Sequence, residues 1–237
     1  MREIAAVSSI VILFSVCCYL ILGRVSENVS DTFNSEVPGH SIVVLDAGHG
    51  GEDGGAVAFD GTEEKNLNLA VCQKLEALFA VFDIDYVCVR DSDRSVGDIS
   101  LDTIRQRKVS DIKKRFDIIN SYDNSLLLSI HQNMFTDEKY SGLQVFYAPS
   151  DVLSEMLAGC IQSSVTEGLQ PENKRKIKES NKSIYLLYNA KRPSVLVECG
   201  FLSNKEELEK LKSQSYQCQL AYFITSGLTD FLLKSKE

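Results

Sequence analysis

The chain has 237 residues, enough for one domain with an appendage or for two small domains. A hydrophobic share of 44% and a charged share of 24% are those of a globular protein. With 25 Lys+Arg against 33 Asp+Glu, the net charge of -8 leaves no basic surplus to neutralise phosphates, which argues against nucleic acid as a partner.

Cysteine usage narrows the chemistry further. None of the seven cysteines forms a C-x-x-C pair, which argues against a cysteine-rich zinc module. Cys72, Cys88, Cys160, Cys199 and Cys218 stand singly in apolar surroundings and read as free buried thiols, with a single disulfide left open.

Ile4 to Leu22 is a run of 19 residues without a charge. That is enough to span a bilayer as a helix, and too long for the core of a typical signal peptide. Gly23-Arg-Val-Ser-Glu27 offers no small-x-small cleavage site, and Val16 before Cys17 is not the small residue that lipidation needs. Residues 1–24 therefore read as an uncleaved membrane anchor, with a cleaved export signal as the alternative. A buried core helix fits less well, because a polar stretch follows. Arg2 and Arg24 flank the run evenly, so charge does not set its orientation. Residues 25–40, ending in Pro38-Gly39-His40, read as a linker. The folded domain is expected over 41–237.

The apolar run from Ile42 to Leu45 predicts a buried strand. It breaks into five glycines within residues 48–55, with His49 among them. Thr62-Glu-Glu-Lys65 opens a helix whose apolar stripe is Leu67, Val71, Leu75, Leu78 and Phe82. Ile84 to Val89 predicts a second strand and Asp91 to Ser100 a polar loop. A helix with Val109, Ile112, Phe116 and Ile119 on one face follows. Leu126 to Ile130 reads as a parallel strand covered on both faces. Leu143 to Tyr147 predicts another strand. Leu153, Met156, Leu157, Cys160 and Ile161 mark another helix. Lys174-Arg-Lys-Ile-Lys178 is a basic cluster in a polar connection, read as a solvated face. Val195 to Val197 predicts a buried strand. Leu220, Phe223, Ile224, Gly227, Leu228 and Phe231 mark the last helix. Strands alternating with helices imply an α/β fold: a single domain with a central, twisted, largely parallel sheet flanked by helices, preceded by the N-terminal transmembrane helix.

In open α/β sheets ligands gather beyond the carboxyl ends of the strands. His49, His131 and Glu198 each follow a predicted strand, and Glu64 lies in the first turn of a helix at the same end. Two imidazoles and a carboxylate with an open fourth position make a common catalytic zinc set. Such a site lowers the pKa of a bound water to about 7, and a second carboxylate takes its proton. Taken singly, each histidine is more simply a hydrogen-bonded structural residue, and a glutamate in a first turn is favoured by the helix dipole. Glu198 carries the sharpest signal. A carboxylate directly after Val-Leu-Val is costly to bury unless it is paired, hydrogen-bonded or metal-linked.

The same residues carry a resemblance. Val43-Val-Leu-Asp-Ala-Gly-His-Gly-Gly-Glu-Asp-Gly-Gly-Ala56, Gly61-Thr-Glu-Glu-Lys65, Leu128-Ser-Ile-His-Gln-Asn133 and Val197-Glu-Cys-Gly-Phe-Leu-Ser-Asn204 are similar, in order, to the four motifs of the zinc-dependent N-acetylmuramoyl-L-alanine amidases of the type-3 family. The resemblance spans about residues 41–235. It implies Zn2+ held by His49, Glu64 and His131, with Glu198 as the catalytic carboxylate. It selects Glu64 over Glu63, because the family places this glutamate before lysine. Asn133 matches the family's His-x-Asn and is given a supporting role only, and Cys199 is given no chemistry.

Ile104 to Arg115 resembles the sporulation members. These remove the stem peptide from muramic acid in spore-cortex peptidoglycan, a step toward muramic-δ-lactam. Septum-splitting relatives carry a long helical insert over the metal site, and Ala148 to Arg192 is too short for a core helix and such an insert. The implied protein is a peptidoglycan hydrolase tethered by its N-terminal helix, with its catalytic domain outside the cytoplasmic membrane, on the cell-wall or forespore intermembrane side. A regulatory protein partner is an open expectation, since ligands on separate elements invite ordering by a partner. A zinc peptidase on another cell-wall bond and a catalytically silent wall-binding module are the competing readings.

Overall fold

The computed structural model describes residues 41–235, so the expected membrane anchor, the linker and His40 lie outside the described residues. Six strands form one sheet: β1 (Ile42–Ala47), β2 (Tyr86–Cys88), β3 (Ser125–Asn133), β4 (Gln144–Tyr147), β5 (Lys178–Glu179) and β6 (Ser194–Phe201). Their order is β2-β1-β3-β6-β4-β5. The first four in that order run parallel, so the carboxyl ends of β1, β3 and β6 share one edge. β4 runs antiparallel to β6, and β5 runs parallel to β4. The sheet is therefore mixed and mostly parallel. The departure from the expected parallel arrangement is confined to the β4–β5 edge.

Six helices flank it: α1 (Glu64–Val81), α2 (Ile104–Ile119), α3 (Val152–Gly168), α4 (Tyr185–Tyr188), α5 (Lys205–Lys212) and α6 (Gln214–Lys234). The larger core lies on one face, where Val43, Leu45, Leu128, Ile130 and Val197 meet residues of α1, α3, α5 and α6. The smaller core lies on the other, where Val44, Leu127 and Leu196 meet Ile119 and Leu187. Burial on both faces explains why the central strands read as unbroken apolar runs.

Three expectations about individual elements are corrected. First, β3 and β6 continue to Asn133 and Phe201, so His131 and Glu198 lie inside strands and pair with each other in register. Once two strands pair, a polar residue does not end the ladder. Second, the last turn of α1 turns Phe79 inward, while Phe82 caps the helix 39% exposed.

Third, the stripe on α2 is largely turned outward. Val109 is 45% and Ile112 40% exposed, whereas Arg115 and Ile119 are buried. The helix starts at a capping box in which Thr103 and Gln106 exchange hydrogen bonds. Its rotation follows Arg115, which has partners inside. β5, α4 and α5 went unforeseen. The five described cysteines are free; Cys72 and Cys199 are buried as expected, whereas Cys88 and Cys160 are half-buried and Cys218 is exposed. No described helix is long and apolar enough to cross a membrane.

The rotation of α2 is testable in a chain beginning at residue 38. Ile112→Lys should change unfolding free energy by less than about 0.5 kcal/mol, and Ile119→Lys should cost more than about 2 kcal/mol. Urea titration of both variants reads the difference, and a reversed order would turn the helix over.

Candidate metal centre

The loop after β1 is built around close approaches. A Cβ on Gly48 would lie 2.2 Å from the His131 ring. Gly55, at φ +69°, would place a Cβ 2.6 Å from Glu64 Oε2 and 2.7 Å from His49 Cδ2. Only glycine lets the loop fold onto both histidines. His49 itself has φ 62°, a left-handed conformation uncommon for a residue with a side chain.

Glu64 sits between the two rings. Its Oε1 is 2.8 Å from His131 Nδ1 and its Oε2 is 3.2 Å from His49 Nε2. Glu64 Oε1 also accepts from the backbone N–H of Gln132, and Oε2 from that of Ala56. The imidazoles stand edge to face with centroids 5.0 Å apart. One donor atom from each of His49, Glu64 and His131 lies within 4.8 Å of the others. Neighbouring ligands on a tetrahedral zinc are about 3.4 Å apart, so the set fits that ion in size and in donor type. Glu63, the alternative glutamate, has a side chain 40% exposed and faces Lys65.

The electrostatics point the same way. Burial disfavours a charged His49, yet Asp53 and Glu64 outweigh it and hold the ring's pKa up at about 9. Burial likewise works against ionised Glu64, but the two histidines depress its pKa. A pocket that stabilises positive charge in this way is suited to a cation. Asp53 Oδ2 lies 2.9 Å from His49 Nδ1, and Lys108 holds the other Asp53 oxygen at 2.7 Å. This orients His49 with Nε2 toward Glu64.

Beneath the loop lie two buried arginines. Arg115 donates to Asp46 Oδ1, to the carbonyl of Ala47, to Asp111 and, at 2.5 Å, to the carbonyl of His49. Arg90 donates to the carbonyls of Ala47, Gly48, Lys65 and Ser92. These contacts tie the loop to α1 and α2 and fix the backbone that carries His49.

Glu198 lies one strand from His131 in register. Its Oε2 is buried and has no hydrogen-bond partner among the described residues. Burial raises its pKa to about 7; His131 and His49 oppose the rise and Glu64 adds to it. A divalent cation nearby pulls such a value down again. All four residues expected from the sequence thus meet at one edge of the sheet. Asn133 ends β3 and accepts from the Leu202 N–H through its carbonyl.

Comparison with known proteins settles the family. The family model described as N-acetylmuramoyl-L-alanine amidase matches residues 43–230. The chain belongs to the N-acetylmuramoyl-L-alanine amidase family. It is 34% identical over 187 residues to the germination-specific N-acetylmuramoyl-L-alanine amidase of Bacillus subtilis, covering 79% of this chain and 78% of that one. The CwlD amidase from Clostridioides difficile, solved in complex with the GerS lipoprotein, superposes with a TM-score of 0.79 at 37% identity, covering 82% and 99% of the two chains. AmiC2 of Nostoc punctiforme follows at 0.68 and 26%, covering 82% and 98%.

The amidase acts on peptidoglycan outside the cytoplasmic membrane, and its cofactor is zinc. This leaves the peptidase and silent-module readings without support. Sequence reasoning missed Asp53, Arg90 and Arg115. The one signal available was Asp46, a charge inside Val-Val-Leu-Asp-Ala that demanded a buried cation.

Breaking that pair should be costly. Arg115→Met is expected to lose about 3–5 kcal/mol, because Asp46 is left buried and unpaired. Adding Asp46→Asn should recover part of the loss. Urea unfolding of the single and double variants measures the coupling, and strict additivity would mean that the two charges do not act as a pair.

Proposed function

We propose that His49, Glu64 and His131 hold the zinc and that Glu198 is the proton-transferring carboxylate of the amidase. The observation that carries this reading is the buried Oε2 of Glu198, unpartnered and one strand from a metal-ligating constellation. Zinc bound there supplies Lewis acidity to the amide carbonyl and to the attacking water. The protein's part is positional and protolytic. Glu198 takes a proton from the water as its oxygen bonds to the lactyl carbonyl carbon. It then gives that proton to the alanine nitrogen as the C–N bond breaks, so the carboxylate is regenerated. Gly48 and Gly55 keep the rings close, and Asp53 and Arg115 hold His49 in place.

The likeness to the germination-specific amidase and to CwlD supports a role in spore-cortex processing toward muramic-δ-lactam. The likeness to a protein solved with a lipoprotein supports a partner of that kind for this chain. The uncharged run at Ile4–Leu22 supports tethering at the outer face of the cytoplasmic membrane. Deleting residues 1–37 should move the amidase from the membrane to the soluble fraction while leaving hydrolysis of peptidoglycan fragments intact. Sedimentation of the full and shortened chains reads this, and a shortened chain that failed to fold would place the N-terminal segment in the core.

Site roles separate by metal content and rate. His49→Ala, His131→Ala and Glu64→Ala should each lose zinc, while Glu63→Ala should retain it. Glu198→Gln should keep the fold and most of the zinc, and lower the rate by about 10²–10⁴-fold. Elemental analysis, thermal melting and product mass on one preparation make the measurement. A zinc-loaded Glu198→Gln protein cleaving at the unmodified rate would end the proposed mechanism.

A further inference from the structure

The basic cluster Lys174–Lys178 has no part in the metal centre, yet one member reaches the same edge of the sheet. Gln144, the first residue of β4, pairs with Glu198 across the antiparallel ladder. Directly opposed residues project from the same face of a sheet. His131, Glu198 and Gln144 thus form a row across three adjacent strands. Arg175 continues it: its Nη1 donates to Gln144 Oε1 at 3.0 Å, and its Nε donates to the Ser141 carbonyl at 2.9 Å. The guanidinium stacks 4.4 Å from the Phe201 ring centroid and 5.8 Å from that of Tyr140.

The hydrogen bonds of this guanidinium go to neutral partners. Among the described residues no ion pair within 4.0 Å involves it, and its side-chain hydrogen bonds use only Nε and Nη1. Glu207, a carboxylate that feels the Arg175 charge, already accepts from the backbone N–H groups of Phe201 and Gly142. The support is rigid. Gln144 Nε2 donates to the Lys176 carbonyl, Asn173 Oδ1 accepts from the Arg175 N–H, and Asn173 Nδ2 donates to the Leu143 carbonyl. Arg175 also lines an open cleft of about 670 Å³ with Tyr140, Asn173, Lys174 and Lys210, and with Glu206 and Glu207 among its acidic residues. A fixed, unpaired, partly exposed guanidinium is a preorganised receptor for a carboxylate.

We infer that Arg175, positioned by Gln144, binds a free carboxylate on the stem peptide of the substrate, on the leaving-group side of the scissile amide. The inference rests on the amidase reading, in which Glu198 marks the reacting bond. Neighbouring strands are about 4.8 Å apart, so the guanidinium lies roughly 8–10 Å from the Glu198 backbone along the row. Two extended residues span about 7 Å. That reach takes a chain starting at the alanine nitrogen to the second stem residue, a γ-linked glutamate whose α-carboxylate is free unless amidated. The N-acetylated glycan side of the bond is uncharged and gives a guanidinium nothing to pair with.

The test uses the zinc-loaded full chain in detergent and two muramoyl dipeptides, one with the free α-carboxylate and one with it amidated. The expected kcat/KM of the unmodified amidase is about tenfold or more in favour of the carboxylate, mostly through KM. Arg175→Gln should abolish the preference by lowering only the rate on the carboxylate substrate, and Arg175→Lys should retain part of it. An unmodified protein without the preference, or an Arg175→Gln variant that weakens both substrates equally, overturns the subsite and leaves the amidase intact. Failure of the unmodified protein to cleave either substrate brings down the amidase reading and the subsite together.

Discussion

The geometry of the site depends on one buried ion pair. Asp46 is the one charged residue in a strand that is otherwise hydrocarbon, and an ionised carboxylate there is tolerated because Arg115 meets it and Ser129 donates to its other oxygen. The same guanidinium reaches past Asp46 to the carbonyls of Ala47 and His49. One side chain thus neutralises the strand end, docks α2 and holds the left-handed turn that aims His49. The zinc-site loop is shaped from below by cations, while Glu64 faces both histidine rings above it.

Much of this was legible in the sequence. Glu198 stood out because a carboxylate in an apolar run needs a reason, and the reason lies one strand away at His131. The same logic applied to Asp46 would have demanded Arg115 or Arg90. The helical period of α2 hid the answer. Val109, Ile112, Phe116 and Ile119 make a regular stripe, but periodicity reports that a helix has two faces, not which one a buried salt bridge will claim. Glu64 and Glu63 were indistinguishable by helix-dipole arguments, and only the family resemblance chose between them. The fold separates them by burial, with Glu64 4% exposed. Elements as short as β5 and α4 leave no periodic trace.

The chain's negative charge and its basic segments are reconciled at the site. Lys108 and Arg107 of α2 are matched to Asp53 and Glu52 of the loop, so those cations act as struts rather than as a docking surface for a polyanion. Glu64 is shared by two rings, two backbone amides and the Asn68 side chain. This fixes both of its oxygens before any ion arrives and limits the reorganisation that loading would require.

The reversed direction of β4 has an architectural consequence. Because β4 starts at the edge where β1, β3 and β6 finish, the connection from β3 into β4 turns at that edge of the sheet. The end of α3 comes up beside it, where Gln170 Oε1 accepts from the Leu143 N–H, while the start of α3 is tied to the far edge through Ser154 and Ser194. Two chain crossings therefore overlook the catalytic edge without contributing a ligand. Either one could lengthen without a change in the residues of the zinc set. Here the path from α3 to β6 runs over residues 169–193, with β5 and α4 as its only regular elements. In this fold, access to substrate and assembly of the metal site are separable inheritances, carried on different stretches of chain.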